Sequence, residues 1–244
     1  MKEKYTAQKT NKMDEIKIDI HTIDWTEGEH SGLSLMLAKG KTATVAWGDG
    51  RKESFVGRLD CLDGRLVWHK FEHYYPCKNY DYTIDICAED NAIIGFSGMT
   101  MFEQNTFRVD VSLCPSLEVF EYSTCGTFPL DVSHNHRLKK IDAREVANEK
   151  LDFSANPLLE ELNLWGSKNV VSLKLSKNDQ LQKLIIPFCE NLRRIALSNN
   201  SSLNWLVYGY NKLHTRDKEF LLRALKANKP YHLEDMDNDF TSEC

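Results

Sequence analysis

The chain lacks any apolar run near the roughly 18 residues that a membrane-spanning helix needs, so no transmembrane segment is expected. Its start has no apolar stretch either. Residues 1–14 are polar and charged, which reads as a flexible N-terminus and leaves no signal peptide in this chain. Catalytic signatures are missing as well: G-x-S-x-G, the phosphate-cradling G-x-x-x-x-G-K-[ST] and H-E-x-x-H do not occur. Excess positive charge is absent, and the net charge of −5 speaks against general nucleic-acid affinity. A disulfide framework is not indicated. The seven cysteines (Cys61, Cys77, Cys87, Cys114, Cys125, Cys189 and Cys244) are odd in number and scattered, as expected of free thiols in a reducing compartment.

What the chain does have is a ladder of leucine-type residues. L-x-x-L-x-L begins at Leu117, Leu138, Leu159, Leu181 and Leu203, at steps of 21, 21, 22 and 22 residues. A second register keeps the same step in Val109-Asp110-Val111-Ser112, Leu130-Asp131-Val132-Ser133, Leu151-Asp152-Phe153-Ser154, Leu173-Lys174-Leu175-Ser176 and Ile195-Ala196-Leu197-Ser198. Two registers in phase imply a solenoid, in which each coil buries its apolar edge against its neighbours. Two residues after each Ser stand Asn135, Asn156, Asn178 and Asn200, with Cys114 at that place in the first coil. A polar side chain repeated there is expected to turn inward and bond the backbone of its own and the next coil, where amides would otherwise be unpaired. Over residues 96–210 these units resemble the bacterial leucine-rich repeat family, whose units read L-x-V-S-x-N-x-x-L-x-x-L-x-L.

Alternation within a coil sorts inside from outside. In Leu159-Glu160-Glu161-Leu162-Asn163-Leu164-Trp165, period two puts Leu162 and Leu164 in the core and Glu161, Asn163 and Trp165 on the exposed face. The second register also alternates, so each coil is expected to run strand, turn, strand, turn without a helix. Phe96, Met99 and Met101 precede Leu117, Phe120 and Tyr122 by 21 residues, which starts a degenerate first coil near residue 93. Past the solenoid, assigned to residues 93–212, Leu221, Leu222 and Leu225 form one apolar stripe behind a Thr215 N-cap. This predicts a helix closing the last coil and ending near Asn228, before Pro230. Residues 213–244 thus hold a capping helix and an acidic tail of Glu234, Asp235, Asp237, Asp239 and Glu243, expected to be solvated.

Residues 15–92 show no such period. Short alternating runs (Ile16–Ile20, Leu33–Leu37, Thr42–Ala46, Tyr82–Ile86), separated by turn signals such as Gly48-Asp49-Gly50 and Asp63-Gly64, predict a small antiparallel β-sandwich. The fold class expected is therefore mainly β: a sandwich, then a solenoid, then a capping helix. Ala46-Trp47-Gly48-Asp49-Gly50, His73-Tyr74-Tyr75 and Tyr82-Thr83-Ile84-Asp85-Ile86 are similar to the W-G-D-G … H-x-Y … Y-x-V-x-V pattern of PKD-type immunoglobulin-like domains. The chain departs from that pattern at Lys78-Asn79, where the family has Gly, and by one inserted residue. The resemblance implies a structural role for the W-G-D-G turn, packed against the His-x-Tyr strand. It also implies export or a cell-surface location, whereas a full-length chain without a signal sequence would be cytoplasmic.

Candidate chemistry is sparse, and neither a metal nor a cofactor is expected. His134-x-His136 has no Cys or acidic ligand at useful spacing. Asp49 belongs first to a turn. Cys125-Gly126 has no His placed beside it, and the glycosylation triplets at Asn199 and Asn200 overlap the ladder. Stacking the coils aligns outward columns: Val119, Lys140, Glu161, Lys183, Trp205; Glu121, Asp142, Asn163, Ile185, Val207; and Ser123, Arg144, Trp165, Pro187, Gly209. Trp165, Ile185, Pro187, Trp205 and Val207 then share one face rimmed by Arg144 and Lys183, a composition that suits an interface. The function expected is non-enzymatic recognition of a protein partner. A glycan-binding surface is the alternative, since Trp also stacks on sugars. An enzyme with a cleft between the two halves is the contrary case and would need convergent titratable groups there.

Overall fold

The structure, a computed structural model of the chain, describes residues 13–22, 30–75, 80–98, 106–123, 128–197 and 202–237. It is mainly β with one helix, and about four turns of it form a β-solenoid. The first strands are β1 (Asp14–Thr22), β2 (His30–Leu37), β3 (Thr42–Ala46), β4 (Lys52–Val56), β5 (Trp68–Tyr74) and β6 (Tyr80–Ala88). Alternation becomes burial here: β1 and β6 pair antiparallel with Ile16 opposite Ile86 and Ile18 opposite Ile84, all four buried. Leu33, Leu35 and Leu37 of β2 belong to the same core. At one edge Phe55 of β4 stacks on His69 of β5 at 4.4 Å and meets Phe71 edge-on at 5.4 Å.

The strands that follow do not start a separate stack. β7 (Ile93–Ser97) lies antiparallel to β2 on one side and parallel to β9 (Val119–Ser123) on the other. β8 (Thr106–Asp110) pairs antiparallel with β1. Two sheets result in this part of the chain: a five-stranded one ordered β4-β3-β6-β1-β8, and a nine-stranded one that runs from β5, β2 and β7 into the solenoid. The solenoid contributes β9, β10 (Lys140–Arg144), β12 (Glu161–Asn163), β14 (Lys183–Ile185) and β16 (Trp205–Tyr208) to that long sheet. Its opposite side is the three-stranded sheet of β11 (Lys150–Asp152), β13 (Ser172–Leu175) and β15 (Arg194–Leu197). Residues 130–132 carry the repeat pattern but form no strand. Instead the Asn148 amide takes the place of a neighbouring backbone, accepting from Leu130 N–H at 2.7 Å and donating to Leu130 C=O at 3.1 Å.

The asparagine ladder forms, with its direction reversed from expectation. Nδ2 of Asn135, Asn156 and Asn178 donates twice to the preceding coil, as Asn178 does to Phe153 O (3.0 Å) and Asn156 O (2.7 Å). Asn200 lies outside the described residues. Cys114 has no preceding coil to bond; its thiol points to Glu15 O in β1 at 3.3 Å, and burial pushes that thiol well above its ordinary pKa. A second ladder runs through the other turn of each coil. Ser167 Oγ accepts from Val146 N–H at 3.2 Å, Cys189 Sγ points to Leu164 O at 3.2 Å, and Asn211 Nδ2 donates to Ile186 O at 2.9 Å.

Three further sequence expectations are corrected. Phe96 pairs with Phe120, so the first coil is 24 residues from the next rather than 21. Helix α1 spans Thr215–Lys226, but its N-cap is His214, without a side-chain cap bond. Asp217 of α1 reaches sideways instead and accepts from Ile195 N–H on the open edge of β15 at 3.1 Å. Finally, the first part of the acidic tail is not left in solvent. β17 (His232–Asp235) adds to β16 in parallel, because the last coil would otherwise expose a row of unpaired backbone groups.

Candidate functional site

The outer face of the long sheet takes its chemistry from every second residue of β10, β12, β14, β16 and β17. Parallel pairing in uniform register stacks Val119, Lys140, Glu161, Lys183, Trp205 and His232 in one column. Glu121, Asp142, Asn163, Ile185, Val207 and Glu234 form the next. Between them Phe120, Ile141, Leu162, Leu184 and Leu206 are buried, which fixes the phase. The two outward columns match those read from the sequence and gain one residue each from β17.

Most charges on this face are already paired. Lys140 Nζ meets Glu121 at 2.7 Å; burial works against the ammonium, yet this contact holds its pKa above the usual lysine value. Arg144 grips Asp142 with two bonds of 2.9 and 3.1 Å, and Asn163 Nδ2 donates to the same carboxylate at 3.1 Å. Asn163 Oδ1 in turn accepts from Trp165 N–H at 3.0 Å, which ties the tryptophan's backbone to the charged cluster. Lys140, Asp142, Arg144, Glu161, Asn163 and Lys183 surround a recess of about 220 Å³ on this face.

Trp165 and Trp205 are each 39 % exposed. They stand at opposite corners of a diagonal through Ile185. One strand over and two residues along is about 8 Å per step, so the diagonal measures about 16 Å. Trp205 is braced from both sides, with Lys183 Nζ 4.8 Å above its ring and His232 stacked at 3.9 Å. Ile185, Arg144 and Lys183 are half-buried. Two members of the expected patch are buried: Val207 is flanked by β17, and Pro187 lies past the end of β14, where alternation no longer applies.

Sequence reasoning missed Phe188 and Tyr210. Phe188 packs at 5.1 Å from Trp165 and stacks at 4.8 Å and 8° on Tyr210, making a row of three rings along the end of the strand face. The row exists because Glu145, Gly166, Phe188 and Tyr210 all take left-handed backbone, with φ of 54°, 69°, 57° and 52°. For a bulky residue this costs about 1–3 kcal/mol. Hydrogen bonds from Phe188 N–H to Gly209 O (3.0 Å) and from Tyr210 N–H to Asp237 Oδ1 help to hold it. The 22-residue step between these positions was visible, but only Gly166 announces a left-handed residue by its type.

The other candidates do not converge. His136 Nδ1 bonds Ala155 O at 2.9 Å and His134 Nδ1 pairs with the Ser133 hydroxyl at 3.2 Å. Among the described residues no group of three or more His, Cys, Asp or Glu is placed to hold a metal. Asp49 is consumed structurally: Arg51 N–H bonds Oδ1 at 3.0 Å and His73 Nε2 lies 3.0 Å from Oδ2. Cys125 and Asn199 lie outside the described residues, and no helix among those described is long and apolar enough to cross a membrane. Compared with known proteins, the chain matches no family model, no curated protein and no solved structure.

Proposed function

We propose that this protein is a non-enzymatic recognition module, a leucine-rich repeat solenoid behind a PKD-like immunoglobulin-type domain, that binds a protein partner through the outer strand face. The observation that carries this reading is the pair Trp165 and Trp205, each 39 % exposed on a sheet whose surrounding charges are largely paired. Rigid aromatic rings bury large area at small entropic cost, and removal of such an anchor typically costs about 2 kcal/mol or more of binding. Pre-paired neighbours such as Arg144–Asp142 suit a polar rim, which excludes water and contributes little energy of its own. The double variant Trp165→Ala, Trp205→Ala is expected to melt near the wild-type temperature and to lose partner capture from the native host. A double variant that melts normally and captures the same partners sinks the proposal.

One observation favours a glycan as the second reading. The row Trp165, Phe188 and Tyr210 offers ring faces in series, as stacking against successive sugar units requires. Phe188→Ala then abolishes binding to a glycan array while sparing protein capture, and the opposite result leaves the protein reading alone.

A further inference from the structure

The far end of the long sheet from the tryptophan face is strand β5. Among the described residues it pairs only with β2, so one side of its backbone is an open edge. Its register with β2 runs through seven consecutive pairs without a bulge, from Trp68–Met36 to Tyr74–His30. Phe71 and His73 point into the core, while Trp68, Lys70, Glu72 and Tyr74 lie exposed on the other face. Open edges are normally blunted by a proline, a bulge or an unpaired charge, because they template pairing with another chain. None of these stands in β5: Lys70 and Glu72 are ion-paired with each other along the strand.

The exposed face reads the same in both directions. If a second β5 is laid antiparallel against the first with its two-fold axis at Phe71, Lys70 falls opposite Glu72 of the partner and Glu72 opposite the partner's Lys70. In the same register Trp68 falls opposite Tyr74, twice. Every outward position thus meets an opposite charge or an aromatic ring, the combinations that stabilise directly opposed cross-strand pairs. The Trp68 indole does not obstruct the approach. It folds back across β2, and its ring atom Cη2 comes within 2.8 Å of where a Cβ on Gly95 of β7 would stand. Other open edges lack this self-complementarity: β4 presents Lys52, Ser54 and Val56 on one face, and β17 ends in Glu234 and Asp235.

We infer that the occupant of this edge is a second copy of the same chain, and that the protein forms a two-fold dimer by antiparallel β5–β5 pairing. An isologous interface demands a surface that complements itself under a two-fold rotation, which this strand does. The two nine-stranded sheets then continue into one another, and the backbone groups of both edges are paired.

Sedimentation equilibrium of the full chain over a range of concentrations tests this. Wild type is expected to show a reversible monomer–dimer equilibrium. Lys70→Glu and Glu72→Lys, each on an exposed side chain and so expected to fold, replace two opposite-charge pairs by two like-charge pairs and weaken the dimer about tenfold. The double variant Lys70→Glu, Glu72→Lys restores both pairs with the charges exchanged and returns the dissociation constant to within about threefold of wild type. A control, Lys52→Glu on β4, leaves it unchanged. A wild type that stays monomeric at every concentration overturns the proposal, as does a dimer that both single variants leave intact or that the double variant fails to restore.

Discussion

At the scale of single residues, the described ladder asparagines act by donating from Nδ2 to two carbonyls of the coil before, so each side chain fastens two coils together. Asn178→Ala strips its bonds from Phe153 O and Asn156 O inside a core with no water to replace them. The expected cost is about 1–3 kcal/mol. Asn169→Ala, on an exposed residue, should cost close to nothing, and equal denaturation midpoints for the two variants would discard the ladder. Asp49 carries a pH dependence. Burial opposes its ionisation, but the bonds from Arg51 N–H and His73 hold its carboxyl below the ordinary value of 3.8. A carboxyl whose folded pKa is lowered adds stability above its unfolded pKa and loses it as pH falls through the folded value. The stability gap between wild type and Asp49→Asn should therefore be constant near neutrality and narrow below about pH 4, as urea titrations at several pH values can check.

At the scale of the element, the short strands of the solenoid have no stability alone, since three or four residues cannot satisfy their own backbone. They persist because the middle side chain is driven inward: Leu162 and Leu184 are 1 % and 0 % exposed, between Ile141 and Leu206 in the paired strands. Leu162→Asp or Leu184→Asp places a carboxylate there without a partner, which must stay protonated or open the coil. Either change is expected to abolish the folded solenoid in circular dichroism melts, and a wild-type melting temperature for either would mean that the assigned phase is inverted. The ends follow the same logic. β17 pairs the free side of β16, and α1 buries Leu221 and Leu225 while Asp217 supplies an acceptor for the Ile195 N–H.

At the scale of the whole molecule, the two halves share both sheets. Three contacts close the junction: β7 between β2 and β9, β8 against β1, and the Asp14 carboxylate accepting from Asn91 N–H (3.0 Å) and Ile93 N–H (2.8 Å). Separating the halves would expose these strands and orphan a buried carboxylate. Unfolding is accordingly expected as one cooperative transition, with tryptophan fluorescence and far-ultraviolet circular dichroism giving coincident denaturation curves. Two resolved transitions would show that the halves are independent.

Much of this was legible because a repeat states its constraint several times. The step of 21 or 22 residues, the inward leucines, the buried Asn column and the outward positions of Trp165 and Trp205 all follow from periodicity and the alternation of strand side chains. Ser167, Cys189 and Asn211 form an equally regular second ladder, but three different residue types hid their common place. Tertiary structure alone decided the rest. Whether β7 would pair with β2, whether His232–Asp235 would become a strand, and that Pro187 and Val207 would be buried depend on which backbone edges are left open once the coils have stacked. An open edge belongs to the assembled sheet and to no residue in it, so only the assembled sheet determines what covers it.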